Sequence, residues 1–408
     1  MIDDIASFVA DGFRQAAFRR SVAMMMTRAS GARFWSALVV AVLATTVAAV
    51  APSPTAVTAP GDFVDQKPAR TPEEQSLLAV PLEIVGSHSG PMVPVARSGP
   101  PPRREPDRQR LVVSAVGDTN LDPAYIPVFR QEGYEYAFSG LDNLFVDDDL
   151  SIVNLECAAT TIGRPVSKAF TFNCDIGALD VMAAAGVEVA NLANNHSADW
   201  GRDGLLETRR NVLATGIAAV GVGAEAAQAH ESARFDINGW TVAVLGFGGV
   251  VPWADWLATD TTAGMADGDT IETMVAAVER ADEVADLVFV TIHWGVELDT
   301  TPRPDDVERA RAMIDAGADA VFGHHPHRLQ PLEFYRGKPI AWSLGNFVWP
   351  RLSDAGATTA VARVIVEADG TIDACLIPAF IERSGQPVLQ GPHRDGCRPY
   401  RTAAPRAS

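Results

Sequence analysis

VFVTIHWGVELDTTPRPDDVERARAMIDAGADAVFGHHPHR, residues 288–328, holds a strand, a helix and a second strand in that order. The apolar run Leu287–Ile292 ends in His293-Trp294-Gly295. Val307, Ala310, Met313 and Ile314 fall at helical spacing inside Pro304–Ala316, and Gly317 supplies the stop. A second apolar run, Ala318–Phe322, ends in Gly323-His324-His325-Pro326-His327. A passage of this length forms a right-handed crossover, so the two strands are expected as parallel neighbours. Their carboxyl ends then lie side by side, where open α/β sheets hold ligands. Both ends carry imidazole, the arrangement a metal site needs.

Working outward, the same pattern recurs on both sides. Leu111–Val116, Ser151–Leu155, Val187–Leu192, Ile217–Val220 and Thr241–Phe247 read as strands. Gly177–Ala185, Gly204–Thr215 and Ile271–Ala285 read as helices, and Pro339–Ser343, Thr359–Glu367 and Thr371–Pro378 form a β-rich end. Alternating strands and helices followed by strands alone predict an α/β protein with layered sheets and helices outside. The folded domain is expected over 111–390, with 391–408 as a tail. No internal repeat is visible.

Five polar motifs each follow an apolar strand directly: Asp118, Glu156, Asn195-His196, His293 and His325 with His327. Rigid scaffolds present chemistry on such loops. Carboxylates, imidazoles and an amide oxygen suit a divalent ion such as Mn, Zn or Fe(II) better than Ca or Mg. A set of this size has room for one or two ions, and a pair would orient a nucleophilic water and stabilise transition-state oxygens. Asp199 follows the Asn195-His196 motif, and Glu297, four residues after His293, is a candidate to fix an imidazole tautomer. Singly, each motif has a plainer reading. Gly-Asp after a strand is turn chemistry, and a histidine-rich loop can be a solvated pH-sensitive segment. Their recurrence at one position in the topology is what favours a site. Trp253, Trp256 and Trp294 read as packing or as ligand stacking, and Gly345-Asn346 as a turn or an added amide. Gly246-Phe247-Gly248-Gly249 has the spacing of neither nucleotide-binding fingerprint. A serine triad finds no Gly-x-Ser-x-Gly.

The 408 residues carry a net charge of −18, unevenly placed: residues 1–110 hold 12 Lys+Arg against 10 Asp+Glu, the remainder 21 against 41. An acidic domain argues against nucleic acid as partner. Arg19, Arg20, Arg28 and Arg33 precede Phe34–Ala51, 18 residues without a charge. This predicts a cytoplasmic basic segment over 1–33, then a signal peptide or membrane anchor over 34–51, with the bulk of the chain outside. Residues 52–110 hold 12 of the 27 prolines and read as a disordered or extended linker. The four cysteines of an exported chain invite disulfides. Their order suggests Cys157–Cys174 and Cys375–Cys397, with free buried thiols as the alternative.

GDTN at 117–120, NLE at 154–156, ANNHSADWGRDGLLET at 193–208, HWGVE at 293–297, GHHPH at 323–327 and SLGNF at 343–347 resemble, in order, the CapA family. These are capsule or poly-γ-glutamate synthesis proteins of the metallophosphatase superfamily. The resemblance covers Leu111 to Val388 and implies a four-layer α/β/β/α sandwich of calcineurin-like type, with a metal centre at the strand ends. It implies Asp118 and His327 as ligands of a first metal, Glu156 as the bridging carboxylate, and Asn195, His293 and His325 as ligands of a second. His196 would face the scissile group. Phosphatases of the superfamily have Asp-x-His where this chain has Asp118-Thr119-Asn120, and a second Gly-Asp where Glu156 stands. Phosphoester hydrolysis therefore does not simply carry over. Three expectations follow: a metal-dependent hydrolase or transferase acting on poly-γ-glutamate or another cell-surface polymer, with His196 as proton donor; a non-catalytic accessory that binds polymer or a membrane synthase; or a secreted metallophosphoesterase.

Overall fold

A computed structural model describes residues 107–391. The expected membrane segment 34–51, its basic flank, the linker up to residue 106, Cys397 and the tail beyond 391 lie outside the described residues. Among the described residues no helix is long and apolar enough to cross a membrane.

Four strands open the domain: β1 (Leu111–Thr119), β2 (Leu150–Leu155), β3 (Val189–Asn191) and β4 (Ala218–Val220), each parallel to the next. After β5 (Val222–Gly223) the chain crosses to a second sheet through the hairpin β6 (Ala233–Ile237) and β7 (Trp240–Gly248). A two-residue strand β8 (Gly264–Met265) pairs with β5. The second sheet is completed by β9 (Leu287–His293), β10 (Ala320–His324), β11 (Leu332–Tyr335) and β12 (Lys338–Ala341), giving the order β11-β12-β10-β9-β7-β6. The chain then returns to the first sheet with β13 (Asn346–Val348), β14 (Thr358–Val366), β15 (Ile372–Arg383) and β16 (Gln386–Leu389). Its order is β16-β15-β14-β1-β2-β3-β4, with β13 added beside the end of β1. As expected, β9 and β10 are parallel neighbours, and their register places His324 opposite His293.

Strand periodicity explains the layering. Leu111, Val113 and Ala115 of β1, at every second position, join Leu150, Ile152 and Val189 against Val242, Val244, Phe289 and Phe322 of the second sheet, so the two sheets pack face to face. The outer face of the second sheet is covered by two helices, Ile271–Asp282 and Pro304–Asp315, through Met274, Val278, Ala310 and Met313. Leu179, Met182, Leu205 and Val212, from the helices Gly177–Ala184 and Gly201–Ala214, cover the first sheet. Strands buried on both faces need continuous apolar runs. Every residue of β9 is buried accordingly.

Cys157 and Cys174 form the expected disulfide, and Cys375 is also disulfide-bonded. Trp294, 1% exposed, stacks on Trp342 and donates Nε1–H to its carbonyl, so this indole is core and not a ligand platform.

Candidate metal centre

The carboxyl ends of parallel strands from both sheets meet at one edge. Asp118 lies at the end of β1, Glu156 directly after β2, and Asn195 and His196 just beyond β3. His293 closes β9, and His325 and His327 follow β10. Two backbone features make the convergence possible. A Cβ at Gly117 would lie 2.1 Å from the Gly345 carbonyl oxygen, so only glycine lets the loop before β13 close on β1. His325 and His327 have φ of 93° and 51°. Positive φ costs a non-glycine residue about 1–3 kcal/mol and clusters at functional sites.

The carboxylates, imidazoles and amide singled out in the sequence as candidate ligands are brought to this edge. Asp118 Oδ2 lies 3.0 Å from His327 Nδ1, and Asp118 Oδ1 3.8 Å from His293 Nδ1. Glu156 Oε1 is 3.9 Å from both His293 Nε2 and His196 Nε2, and 4.0 Å from His327 Nε2. The His293 and His325 rings are 4.8 Å apart, and Asn195 Oδ1 is 3.0 Å from His293 Nε2. The ligand atoms fall into two groups, each within 4.8 Å: Asp118, Glu156 and His293, and Glu297, His325 and His327. This grouping departs from the partition that the resemblance implies. Glu297 sits with the histidine loop, while the ring nitrogens of His293 meet Asn154 and Asn195. Glu297 is therefore not the residue that orients His293.

His196 is held from behind. Its Nδ1 is 2.6 Å from Asp199 Oδ2, which leaves Nε2 on the side of Glu156. Asp199 is fully buried and also accepts from Lys168 Nζ at 2.7 Å and from the Phe172 amide at 2.8 Å. The Phe172 ring stacks on His196 with centroids 4.1 Å apart. Lys168 and Phe172 both lie in the loop closed by the Cys157–Cys174 disulfide, and Cys157 follows Glu156 directly.

The residues fit a divalent cation. Both Glu156 carboxylate oxygens are buried without a hydrogen-bond partner, a costly state unless a positive charge compensates it. Burial, then the neighbouring Asp118, push the Glu156 carboxyl well above its usual range. Burial also raises Asp118, but the neighbouring histidines, His327 first by hydrogen bond and charge, together outweigh it, and the net shift is downward. Burial lowers His324 to about 4 and His325 to about 3, and takes His293 well below and His196 below the ordinary imidazole range. These four rings are thus neutral at neutral pH, the form that offers a lone pair to a metal.

Three residues at the site were not named as site residues in the sequence, two of them, Asn154 and His324, inside the motifs quoted. Asn154 Nδ2 lies 2.9 Å from Asp118 Oδ1 and 3.1 Å from His293 Nδ1. Its position two before Glu156, at strand periodicity, was a usable signal. His324 meets Thr291 Oγ1 through Nε2 at 2.9 Å, and its Nδ1 lies 4.0 Å from Asp118 Oδ1. Lys168 gave no local signal, because its partners are 27 to 31 residues downstream.

The family described as "Bacterial capsule synthesis protein PGA_cap" matches residues 112–351. A Bacillus subtilis (strain 168) protein, "PGA biosynthesis protein CapA", is 33% identical over 252 residues, covering 60% of this chain and 66% of that one. "Capsule biosynthesis protein CapA" of Bacillus anthracis is 29% identical over 300 residues, covering 70% and 72%. The chain thus spans about two thirds of the first of these relatives. Among solved structures, one described as "Termus thermophilus Sulfate thiohydrolase SoxB in complex with glycerol" is similar at 14% identity and a TM-score of 0.38, over 66% of this chain and 56% of that chain.

Proposed function

This chain belongs to the bacterial capsule synthesis protein family PGA_cap, and from that premise we propose that it is an extracytoplasmic, metal-dependent hydrolase or transferase. Its substrate is poly-γ-glutamate or a similar cell-surface polymer, and its role lies in the synthesis, export or anchoring of that polymer. The observation that carries the reading is the Glu156 carboxylate, buried without a partner where Asp118, His293 and His327 converge. The face-to-face sheets with a site at their strand ends support the calcineurin-like fold that the motifs imply.

In this reading Asp118, Glu156, Asn195, His293, His325 and His327 hold one or two ions of Mn, Zn or Fe, with Glu297 beside the histidine loop. A divalent ion bound there supplies Lewis-acid polarisation of a carbonyl or phosphoryl oxygen and a more acidic water. His196 faces the leaving group from Nε2 and serves as its proton donor once that nitrogen has taken up a proton, because Nδ1–H donates to Asp199 and the resting neutral ring carries its lone pair at Nε2. Asp199 orients the ring through Nδ1, and Lys168 balances the Asp199 charge. The segment 34–51 takes the domain across the membrane, either as an anchor that holds it there or as an export signal that is removed.

The test is metal content by elemental mass spectrometry, paired with turnover of a γ-linked glutamate oligomer, on the full chain and on Asp118→Ala/His325→Ala. The wild type should carry one or two ions and shorten or transfer the oligomer, and the double variant should lose both properties. Full turnover by the double variant would end the enzyme reading.

One observation favours a second reading, a non-catalytic accessory that binds polymer for a membrane synthase. Asn120 stands where metallophosphatases of the superfamily carry an imidazole, and its Oδ1 already accepts from the Asp122 amide at 2.8 Å. That accessory would bind the oligomer without turnover and co-purify with membrane partners.

A further inference from the structure

Beside the histidine loop a cleft of about 230 Å³ opens, walled by Tyr125, Phe172 and Trp349 and reaching His196 and His327. Two polar side chains in its lining are not used by the site described above. Arg328 is half-buried, and its Nη1 donates to the His327 carbonyl at 2.7 Å. Among the described residues it has no acidic partner. Asn346 is 3% exposed; its Nδ2 donates to the Gly356 carbonyl at 2.9 Å, but its Oδ1 has no partner. One nitrogen of each comes to the same corner of the cleft, beside Gly356. A Cβ placed on Gly356 would lie 3.2 Å from Arg328 Nη1 and from Ser353 Oγ, and 3.6 Å from Asn346 Nδ2. Glycine keeps that corner open.

A guanidinium with one of its five donors engaged offers the rest as a planar fork, which matches a carboxylate or phosphate. In a domain whose residues beyond 110 carry 21 basic against 41 acidic side chains, an arginine without an acid partner beside a metal centre is suited to an anion from outside. A lone buried amide oxygen calls for an N–H donor, because an unmet acceptor costs about 1–3 kcal/mol. The aromatic walls suit methylene groups. Carboxylate, amide N–H and a short methylene stem are together the repeating unit of a γ-linked glutamate chain.

We propose that Arg328 and Asn346 form a subsite for one residue of a γ-linked glutamyl chain, with Arg328 binding its α-carboxylate and Asn346 Oδ1 accepting its amide N–H. The identity of the polymer rests on the function proposed above; the anion-binding role of Arg328 stands on the cleft alone. An inorganic phosphate shares the anionic chemistry but offers no amide and no methylene stem.

The test is calorimetric titration of the metal-loaded full chain with a γ-linked glutamate pentamer, an α-linked glutamate pentamer and inorganic phosphate. It is repeated on Arg328→Gln, Arg328→Lys and Asn346→Asp, with metal content measured for each. The γ-linked pentamer should bind in preference to the α-linked one. Its affinity should fall at least about tenfold in Arg328→Gln, partly recover in Arg328→Lys, and fall in Asn346→Asp, at unchanged metal content. Equal binding of the γ-pentamer by wild type and Arg328→Gln would overturn the subsite and leave the polymer reading standing. Arg328-dependent binding of phosphate without binding of the γ-pentamer would keep the anion role and overturn the polymer reading. Wild-type binding of neither anion would overturn the subsite.

Discussion

Asn154 sits where the two sheets exchange their functional groups. One side-chain nitrogen lies within reach of both Asp118 Oδ1, at 2.9 Å, and His293 Nδ1, at 3.1 Å. Its carbonyl oxygen accepts from Asn191 Nδ2 at 3.2 Å, which ties the end of β2 to the end of β3. Fully buried and hydrogen-bonded at both ends, this amide has no freedom to rotate. It therefore fixes a carboxylate of β1 and an imidazole of β9 in one relative orientation. Residues that orient ligands from behind are commonly worth about 10–100-fold in metal affinity. Asn154→Ala should weaken Mn(II) binding by about that factor, measured by competition with a fluorescent chelator. An affinity within twofold of wild type would mean that the strands alone position the ligands. The candidate ligand residues were legible in the sequence because each follows an apolar run. Asn154 was legible only through its spacing from Glu156, and Lys168 not at all, since a salt bridge across 31 residues leaves no local pattern.

At the scale of elements, the segment from Cys157 to Cys174 has no regular structure of its own, yet it shapes one wall of the site. It is held by the disulfide across 17 residues, and by bonds from Val166 N to Asp199 O at 2.9 Å and from Asn173 N to Asp122 Oδ2 at 2.9 Å. Closing a loop of this length stabilises a protein by about 3 kcal/mol. Cys157→Ala/Cys174→Ala should lose a stability of that order in denaturant titration and expose the loop to proteolysis near Arg164 and Lys168. An unchanged unfolding midpoint would show that the hydrogen bonds alone hold the loop. Such a loop is illegible in sequence, because its partners are tertiary. The strands were legible where they are buried on both faces. β6 and β11 were missed because edge strands such as ARFDI and LEFY carry polar residues and lack a long apolar run. The β6–β7 turn did carry a signal in Asn238-Gly239, with φ of 52° and 81°, the residue pair that two-residue hairpins favour. β15 runs on through Pro378 to Arg383. Proline ends a strand only where its missing N–H is needed, and pairing with β16 begins one residue later, at Ala379.

The domain formed by the described residues has two chemically opposed ends. At the carboxyl ends of the strands, acidic and imidazole side chains gather, and burial holds the His196, His293, His324 and His325 rings in the neutral form that a cation requires. At the amino ends, Asp148 precedes β2 and Glu188 precedes β3, joined through Ser151, whose hydroxyl donates to Asp148 at 2.8 Å and whose amide donates to Glu188 at 2.7 Å. Burial pushes Asp148 up to about 7 against the hydrogen bonds of Ser114 and Ser151 and the charge of Arg363, and pushes Glu188 up to about 7 against its backbone bonds. The sign follows from linkage. A carboxyl whose folded pKa exceeds its unfolded value binds its proton more tightly in the folded state. Its contribution to stability is complete below about pH 4, the unfolded value, and is lost as pH rises through the folded value of about 7. With metal removed by a chelator, the other groups of the site titrate alike in wild type and variant, so the loss of the Asp148 contribution is read as the difference between their Tm curves from pH 5 to pH 8. Asp148→Asn, which keeps the shape and cannot ionise, should fall less over that range, by at least about 2 °C on the scale expected for a domain this large. Parallel Tm curves for the two proteins would mean that Asp148 stays ionised in the folded chain, and that the amino end of the sheet does not limit stability at alkaline pH.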